Sequence, residues 1–124
     1  MALEEIKVGT TGEYRRKVTK SLLTPGIRSS SGRRVLSTPS LVLMMERACI
    51  QAVERVVPEG FTTVGFHIDL KHVAPTPEGM RIRACAELER VDGNKLTFKV
   101  VAYDEEKKVG EGIHRRAIIP LAKT

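Results

Sequence analysis

The sequence predicts an α+β domain in which an antiparallel sheet of about five strands wraps around one long helix. Three observations predict it. An apolar stretch from Thr38 to about Val57 carries helical periodicity and closes at Pro58-Glu59-Gly60. From Phe61 onward the period drops to two and stays there to the end of the chain. Short turn signals join most of the segments that follow, which favours hairpins over crossovers. One greasy helix cannot be covered by loops, so a sheet curved around it is the arrangement that buries its wide apolar arc.

The elements follow in order. Residues 1–12, with Gly9 and Gly12, form a lead-in. Glu13 to Leu23 alternates loosely through Tyr14, Val18 and Leu22 and predicts a strand. Thr24 to Arg34 holds Pro25, Gly26, Gly32 and three consecutive serines, and predicts a flexible surface loop. Thr38 is the expected N-cap of the helix, with Pro39 in the first helical position. In the next segment Val64, Phe66, Ile68, Leu70 and His72 fall on one strand face, and Thr63, Gly65, His67, Asp69 and Lys71 on the other. Ala74 to Gly79 is a turn. Met80 to Val91 and Lys95 to Tyr103 pair through a hairpin signalled by Asp92-Gly93. Asp104 to Lys108 is a charged turn, and Val109 to Leu121 is the last strand. With no repeat, low-complexity tract or linker, residues 1–124 are expected to form a single domain.

Bulk properties narrow the functional classes. Apolar content of 41% and charged content of 29% are those of a soluble globular chain. No run approaches the ~18 apolar residues of a membrane span, and the N-terminus lacks the layout of a secretory signal. Cys49 and Cys85 have neither metal-ligand spacing nor the density of a disulfide framework. A cytoplasmic location, no membrane partner, no metal and no cofactor are expected. The net charge of +6 raises the question of nucleic acid. The basic residues are scattered among acidic ones, however, and no basic motif is interleaved with aromatics. The chain is expected to bind no nucleic acid; a solvated basic surface or a basic mouth for an anionic small molecule accounts for the charge.

Glu46 is the anomaly of the helix. Its neighbours three and four residues away are Val42, Leu43, Cys49 and Ile50, and at about 100° per residue it projects between Val53 and Val57. The polar stripe lies elsewhere, on Ser40, Arg47, Gln51, Glu54 and Arg55. A carboxylate turned toward a core is costly unless something compensates it. Glu46 is therefore either a structural carboxylate held by backbone or arginine, or a reactive one. The same choice applies elsewhere. His72 is a core histidine or an acid/base, and Thr38 a helix cap or a positioning hydroxyl. Gly65 marks a bulge or tight contact, or an amide donor. Arg115 and Arg116 adjoin on opposite strand faces, so at most one points inward, and His114 shares the parity of Arg116. Cys49 reads as packing.

Four segments together resemble a known family: Ser37-Thr38 with Leu43 to Cys49; Gly65 to Gly79; Ala86-Glu87-Leu88 through Val91-Asp92-Gly93 to Leu96; and Gly110 to Ala117. In this order and spacing they resemble hot-dog fold thioesterases, most closely the fluoroacetyl-CoA thioesterase-like family. The resemblance implies a hot-dog fold and hydrolysis of an acyl-CoA thioester to a carboxylic acid and CoA. It implies a catalytic trio of Thr38, Glu46 and His72. Glu46 would be nucleophile or general base, His72 acid/base and Thr38 a positioning group. Gly65 would lie on the oxyanion side and Arg116 near the substrate. It also implies a homodimer, or a dimer of dimers, with sites lined by both subunits. The fluoroacetyl enzyme has an aromatic gate a few residues before its threonine. Here that region reads Ser31-Gly32-Arg33-Arg34, so a general or different acyl specificity is expected. Lys71, Arg81, Arg83 and the Arg33-Arg34 pair are candidates for the CoA phosphates. The rival reading is a non-catalytic hot-dog domain that binds acyl-CoA or a small ligand.

Overall fold

A computed structural model describes residues 5–25 and 33–122. The elements are β1 (Thr11–Lys17), a short 3-10 turn (Lys20–Leu22), α1 (Thr38–Val53), β2 (Phe61–His72), β3 (Arg81–Asp92), β4 (Lys95–Tyr103) and β5 (Lys108–Pro120). The strands form one antiparallel sheet in the order β1-β3-β4-β5-β2. This is the expected helix-and-sheet architecture, with two boundary differences. The strand expected over Glu13–Leu23 is β1 followed by the 3-10 turn, and α1 ends at Val53 with a turn carrying the chain on to Val57. Among the described residues no helix is long and apolar enough to cross a membrane.

Alternation decides the core. On β3 and β4, Ile82, Ala84, Ala86, Leu88, Leu96, Phe98, Val100 and Ala102 are buried in turn, and their intervening neighbours face out. Against this face α1 lays Leu41, Met44, Met45, Ala48, Cys49, Ala52 and Val53. Gly12 lets the helix come close to β1, because a side chain there would run into the Ala48 carbonyl and the Ala52 backbone. The helix accordingly lies mainly over β1 and β3. The β2 edge receives little cover. Val64, Phe66 and Ile68 on β2 and Leu43 on α1 are 42–46% exposed.

The entry to α1 is pinned by backbone bonds. The Leu36 amide donates to the Thr76 carbonyl and the Ser37 amide to the Leu22 carbonyl, both at 2.8 Å. Thr76 is fully buried, and its hydroxyl donates to Asp104 at 3.0 Å. The start of the helix is thereby fixed beside the turn that follows β2.

A bulge re-phases β2. The pairing with β5 slips between Gly65 and His67: Gly65 lies opposite Arg116, and His67 opposite Arg115. Opposed residues share a face. Arg116 is buried and inward, whereas Arg115 bonds Thr97 and stacks over Phe66 on the outside, so Phe66 and His67 both face out. Inward residues are Thr63 and Gly65 before the bulge and Ile68, Leu70 and His72 after it. The face expected from uninterrupted alternation, Val64 with Phe66 and His72, is thus broken by one inserted residue.

Candidate active site

Ser37, not Thr38, caps α1. Its Oγ accepts from the Ser40 amide at 3.2 Å while its hydroxyl donates to Ser40 Oγ at 2.7 Å. Both residue types can cap, and the cap falls one position earlier than expected. Thr38, now the first helical residue, directs its hydroxyl elsewhere: Oγ1 lies 2.8 Å from His72 Nδ1. His72 is half-buried, and burial holds its pKa below the ordinary histidine value. The ring is therefore neutral near pH 7, a state in which Nδ1 can accept the threonine proton. A cavity of about 320 Å³ opens onto this pair between Val35-Leu36 and Val73-Ala74-Pro75.

A second cluster surrounds Glu46. Its Oε2 accepts from Arg116 Nη1 at 3.1 Å. Arg116 Nε donates to Thr63 Oγ1 at 2.9 Å, and its Nη2 to the Thr63 carbonyl at 2.8 Å. His114, 2% exposed, lies 3.2 Å from Arg116 Nη1 through Nε2, and its Nδ1 is 3.0 Å from the His67 carbonyl. The Glu46 side chain remains one-third exposed and that of Arg116 only 7%. The guanidinium is thus the compensating partner that the helix anomaly called for. Gly65 is the floor of the cluster. A Cβ there would sit 2.8 Å from His114 Cε1, 2.9 Å from Glu46 Oε2 and 3.2 Å from Arg116 Nη1. The missing side chain is what lets the three groups meet.

Within one chain the sequence-predicted residues therefore form two groups, Thr38 with His72 and Glu46 with Arg116 and Gly65. Thr38 and Glu46 are eight positions apart on α1, a rise of about 12 Å. Gly65 and His72 are seven positions apart on β2, about 23 Å of extended strand. Neither gap is spanned by a hydrogen bond.

Other candidates are dispersed. His67 is exposed. Cys49 is fully buried, and burial pushes its thiol up to about 12, which leaves it inert. Among the proposed phosphate ligands, Arg83 is engaged by Glu13 and by the Tyr103 ring on the outer sheet face. Arg34 donates to the carbonyl of Thr24, which lines the cavity beside Thr38. Ser31 and Gly32, in the stretch compared with the aromatic gate, lie outside the described residues, as does most of the loop expected over Thr24–Arg34. No group of three His, Cys, Asp or Glu able to hold a metal occurs among the described residues. Sequence reasoning noted that His114 shares the parity of Arg116 without assigning it a role, and it missed Thr63, whose parity with Gly65 was the available signal.

The fold is shared with known proteins. The sequence profile of the fluoroacetyl-CoA-specific thioesterase, FlK, matches residues 18–122. The chain belongs to this thioesterase family. A fluoroacetyl-CoA thioesterase from Streptantibioticus cattleyicolor is 37% identical over 89 residues, 72% of this chain. The match spans 64% of that relative's length. The solved structure of the fluoroacetyl-CoA thioesterase FlK superposes with a TM-score of 0.83 at 30% identity, covering 93% of this chain and 89% of its own. A variant of it in complex with fluoroacetate and CoA gives 0.82 at 30% identity, covering 93% and 96%. A hot-dog-like protein from Thermanaerovibrio acidaminovorans gives 0.83 at 26% identity, covering 97% and 89%. The curled five-stranded sheet around one helix is the hot-dog fold of this thioesterase family.

Proposed function

We propose that this chain is an acyl-CoA thioesterase that hydrolyses its substrate to a carboxylic acid and CoA as a homodimer. The observation that carries the reading is the Glu46 carboxylate, held by Arg116 over the side-chain-free Gly65 and left partly open at the uncovered edge of the sheet. A carboxylate so placed can act on a thioester carbonyl directly, forming an anhydride that water opens, or through a water it deprotonates. The Gly65 amide is the candidate donor to the carbonyl oxygen. Neutral His72, bonded to Thr38, takes a proton from water or hydroxyl and returns it to the departing thiolate. Family membership supports thioester chemistry, and the complex of a family structure with fluoroacetate and CoA supports an acyl-CoA ligand.

The two half-sites favour a second copy. β2 is an unpaired edge with exposed apolar residues, a surface that soluble proteins seldom leave open. An antiparallel β2–β2 pairing about a two-fold axis through Asp69 sets Leu70 opposite Ile68, Lys71 opposite the bulged Phe66 and His67, and His72 of one copy opposite Gly65 of the other. Each Thr38–His72 pair would then face the second copy's Glu46.

Thiol release, followed across a panel of short, branched, aryl and fluoroacetyl CoA thioesters, tests the reading. Turnover of at least one thioester, lost in Glu46→Gln, is the expected result. Tight binding without turnover across the panel would support the non-catalytic ligand-binding domain instead. Solvent ¹⁸O entering Glu46 in a single turnover marks an anhydride opened at the Glu46 carbonyl; ¹⁸O in the acid alone marks attack of water at the acyl carbon.

A further inference from the structure

His114 shows what a histidine's hydrogen bonds say about its proton. Its Nδ1 faces the His67 carbonyl at 3.0 Å, and a carbonyl only accepts, so Nδ1 carries hydrogen. Its Nε2 faces Arg116 Nη1 at 3.2 Å, and a guanidinium only donates, so Nε2 is the bare nitrogen. The two contacts independently specify the same neutral tautomer. A second proton on Nε2 would set N–H against N–H in a site 2% exposed. The facing groups are Glu46 from α1, His67 from β2, Arg116 from its own strand and the apolar Phe98 opposite it on β4. Glu46 Oε2 stands 3.7 Å from Nε2, beyond hydrogen-bond distance, with Arg116 Nη1 reaching both.

Arg116 is consequently held on two sides. Thr63 takes Nε and Nη2 through its hydroxyl and carbonyl. Nη1 carries two hydrogens, with two acceptors available: Glu46 Oε2 and His114 Nε2. Removing the histidine acceptor leaves a buried N–H unpaired and frees the guanidinium to turn, which weakens its hold on Glu46.

We infer that His114, in its neutral Nδ1–H tautomer, is a positioning residue that together with Thr63 clamps Arg116, and through Arg116 keeps the Glu46 carboxylate aimed across Gly65. The inference rests on the reading of Glu46 as the reacting carboxylate. Burial lowers the pKa of His114, in keeping with a ring that stays neutral. Its chemistry is the opposite of an acid/base histidine: it works by never taking the proton.

Two measurements test it, and the first needs no activity. Imidazole ¹⁵N shifts of the whole protein are expected to show His114 as the Nδ1–H tautomer from pH 8 down to pH 5.5, below the ordinary histidine pKa of about 6.5. The Nε2–H tautomer, or ordinary titration near 6.5, overturns the proposal. The second compares His114→Leu with His114→Gln, which restores an acceptor near Nε2. His114→Leu is expected to lower kcat about 10-fold or more with KM within about twofold. His114→Gln should recover most of the lost kcat. A folded His114→Leu variant with unchanged kcat overturns it. Should His114→Leu fail to fold, Thr63→Val, which removes only the hydroxyl acceptor of Arg116 Nε, is expected to lower kcat in the same way with KM little changed, and no change in kcat is the overturning result. A protein that turns over no thioester yet shows the neutral tautomer would defeat the enzyme reading and leave the clamp standing.

Discussion

Thr38 Oγ1 and His72 Nδ1 meet at 2.8 Å across the gap between the first turn of α1 and the last residue of β2. The meeting is built from below. The fully buried Thr76 bonds Asp104, its carbonyl receives the Leu36 amide, and the next two residues are the cap and Thr38 itself. Glu46 lies two helical turns away and takes no part in it.

That separation makes the shared-site arrangement testable by mixing two inactive proteins. Glu46→Gln and His72→Ala homodimers should each be inactive. A mixed dimer would carry one site with both wild-type groups and one with neither. Unfolding and refolding the two together should restore about a quarter of wild-type activity, from random pairing into symmetric dimers. No recovery, with mixed dimers demonstrated by mass, would place each site within one chain.

The shifted cap separates stability from catalysis at adjacent residues. Ser37→Ala should cost about 1 kcal/mol, read from the urea midpoint, because it removes the acceptor for the Ser40 amide. Thr38→Val should leave the midpoint nearly unchanged and abolish most of kcat, while Thr38→Ser keeps activity. A large stability loss in Thr38→Val with unaltered kcat would return Thr38 to a structural role.

Gly65→Ala should act on the site more than on the fold. The added methyl meets the ends of Glu46 and Arg116 and the His114 ring, all within 3.2 Å. Overpacking of this kind costs about 1–3 kcal/mol, and a carboxylate displaced by about 1 Å costs on the order of 100-fold in rate. Steady-state kinetics at fixed fold, checked by circular dichroism, reads the difference.

Stability should fall on the acid side of neutrality. His72 and His114 both have pKa values lowered by burial. Above about pH 6.5 neither the folded nor the unfolded histidines bind a proton, and no dependence is expected from them. As pH falls through 6.5 the unfolded chain takes up protons that the folded chain refuses, so folding weakens until the folded values are reached. Urea midpoints at pH 7.5 and 5.5 should show the loss, and it should shrink in His72→Ala. A midpoint that rises on acidification would contradict the burial argument.

Much of this was legible in the sequence because it depends on period. The change from helical to two-residue spacing at Phe61 located the sheet, and Asp92-Gly93 located the β3–β4 hairpin, whose two-residue loop begins at Gly93 with φ of 61°. The misplaced carboxylate at Glu46 pointed to a compensating group before Arg116 was seen to supply it. What failed was anything one residue wide. Ser37 and Thr38 cap equally well by type, and only the tertiary bond to His72 separates them. The bulge leaves no mark in composition, so strict alternation put Gly65 and His72 on opposite faces. Thr63 and His114 escaped for a related reason. Their roles rest on a third residue, Arg116, and no pairwise spacing rule reports a relationship of that order.

The inserted residue at Phe66 also sets a constraint on how this gene can change. Each half of β2 carries its own set of inward side chains, and the two sets agree only because one residue between them is left out of the count. Deleting Phe66 alone would remove an outward, half-exposed ring and almost nothing from the core. It would close the pairing with β5 into regular alternation and leave Ile68 to His72 on the face they now hold, the histidine still beside its threonine. A three-nucleotide insertion between the Ile68 and His72 codons, by contrast, would keep the reading frame of the message and shift that of the sheet.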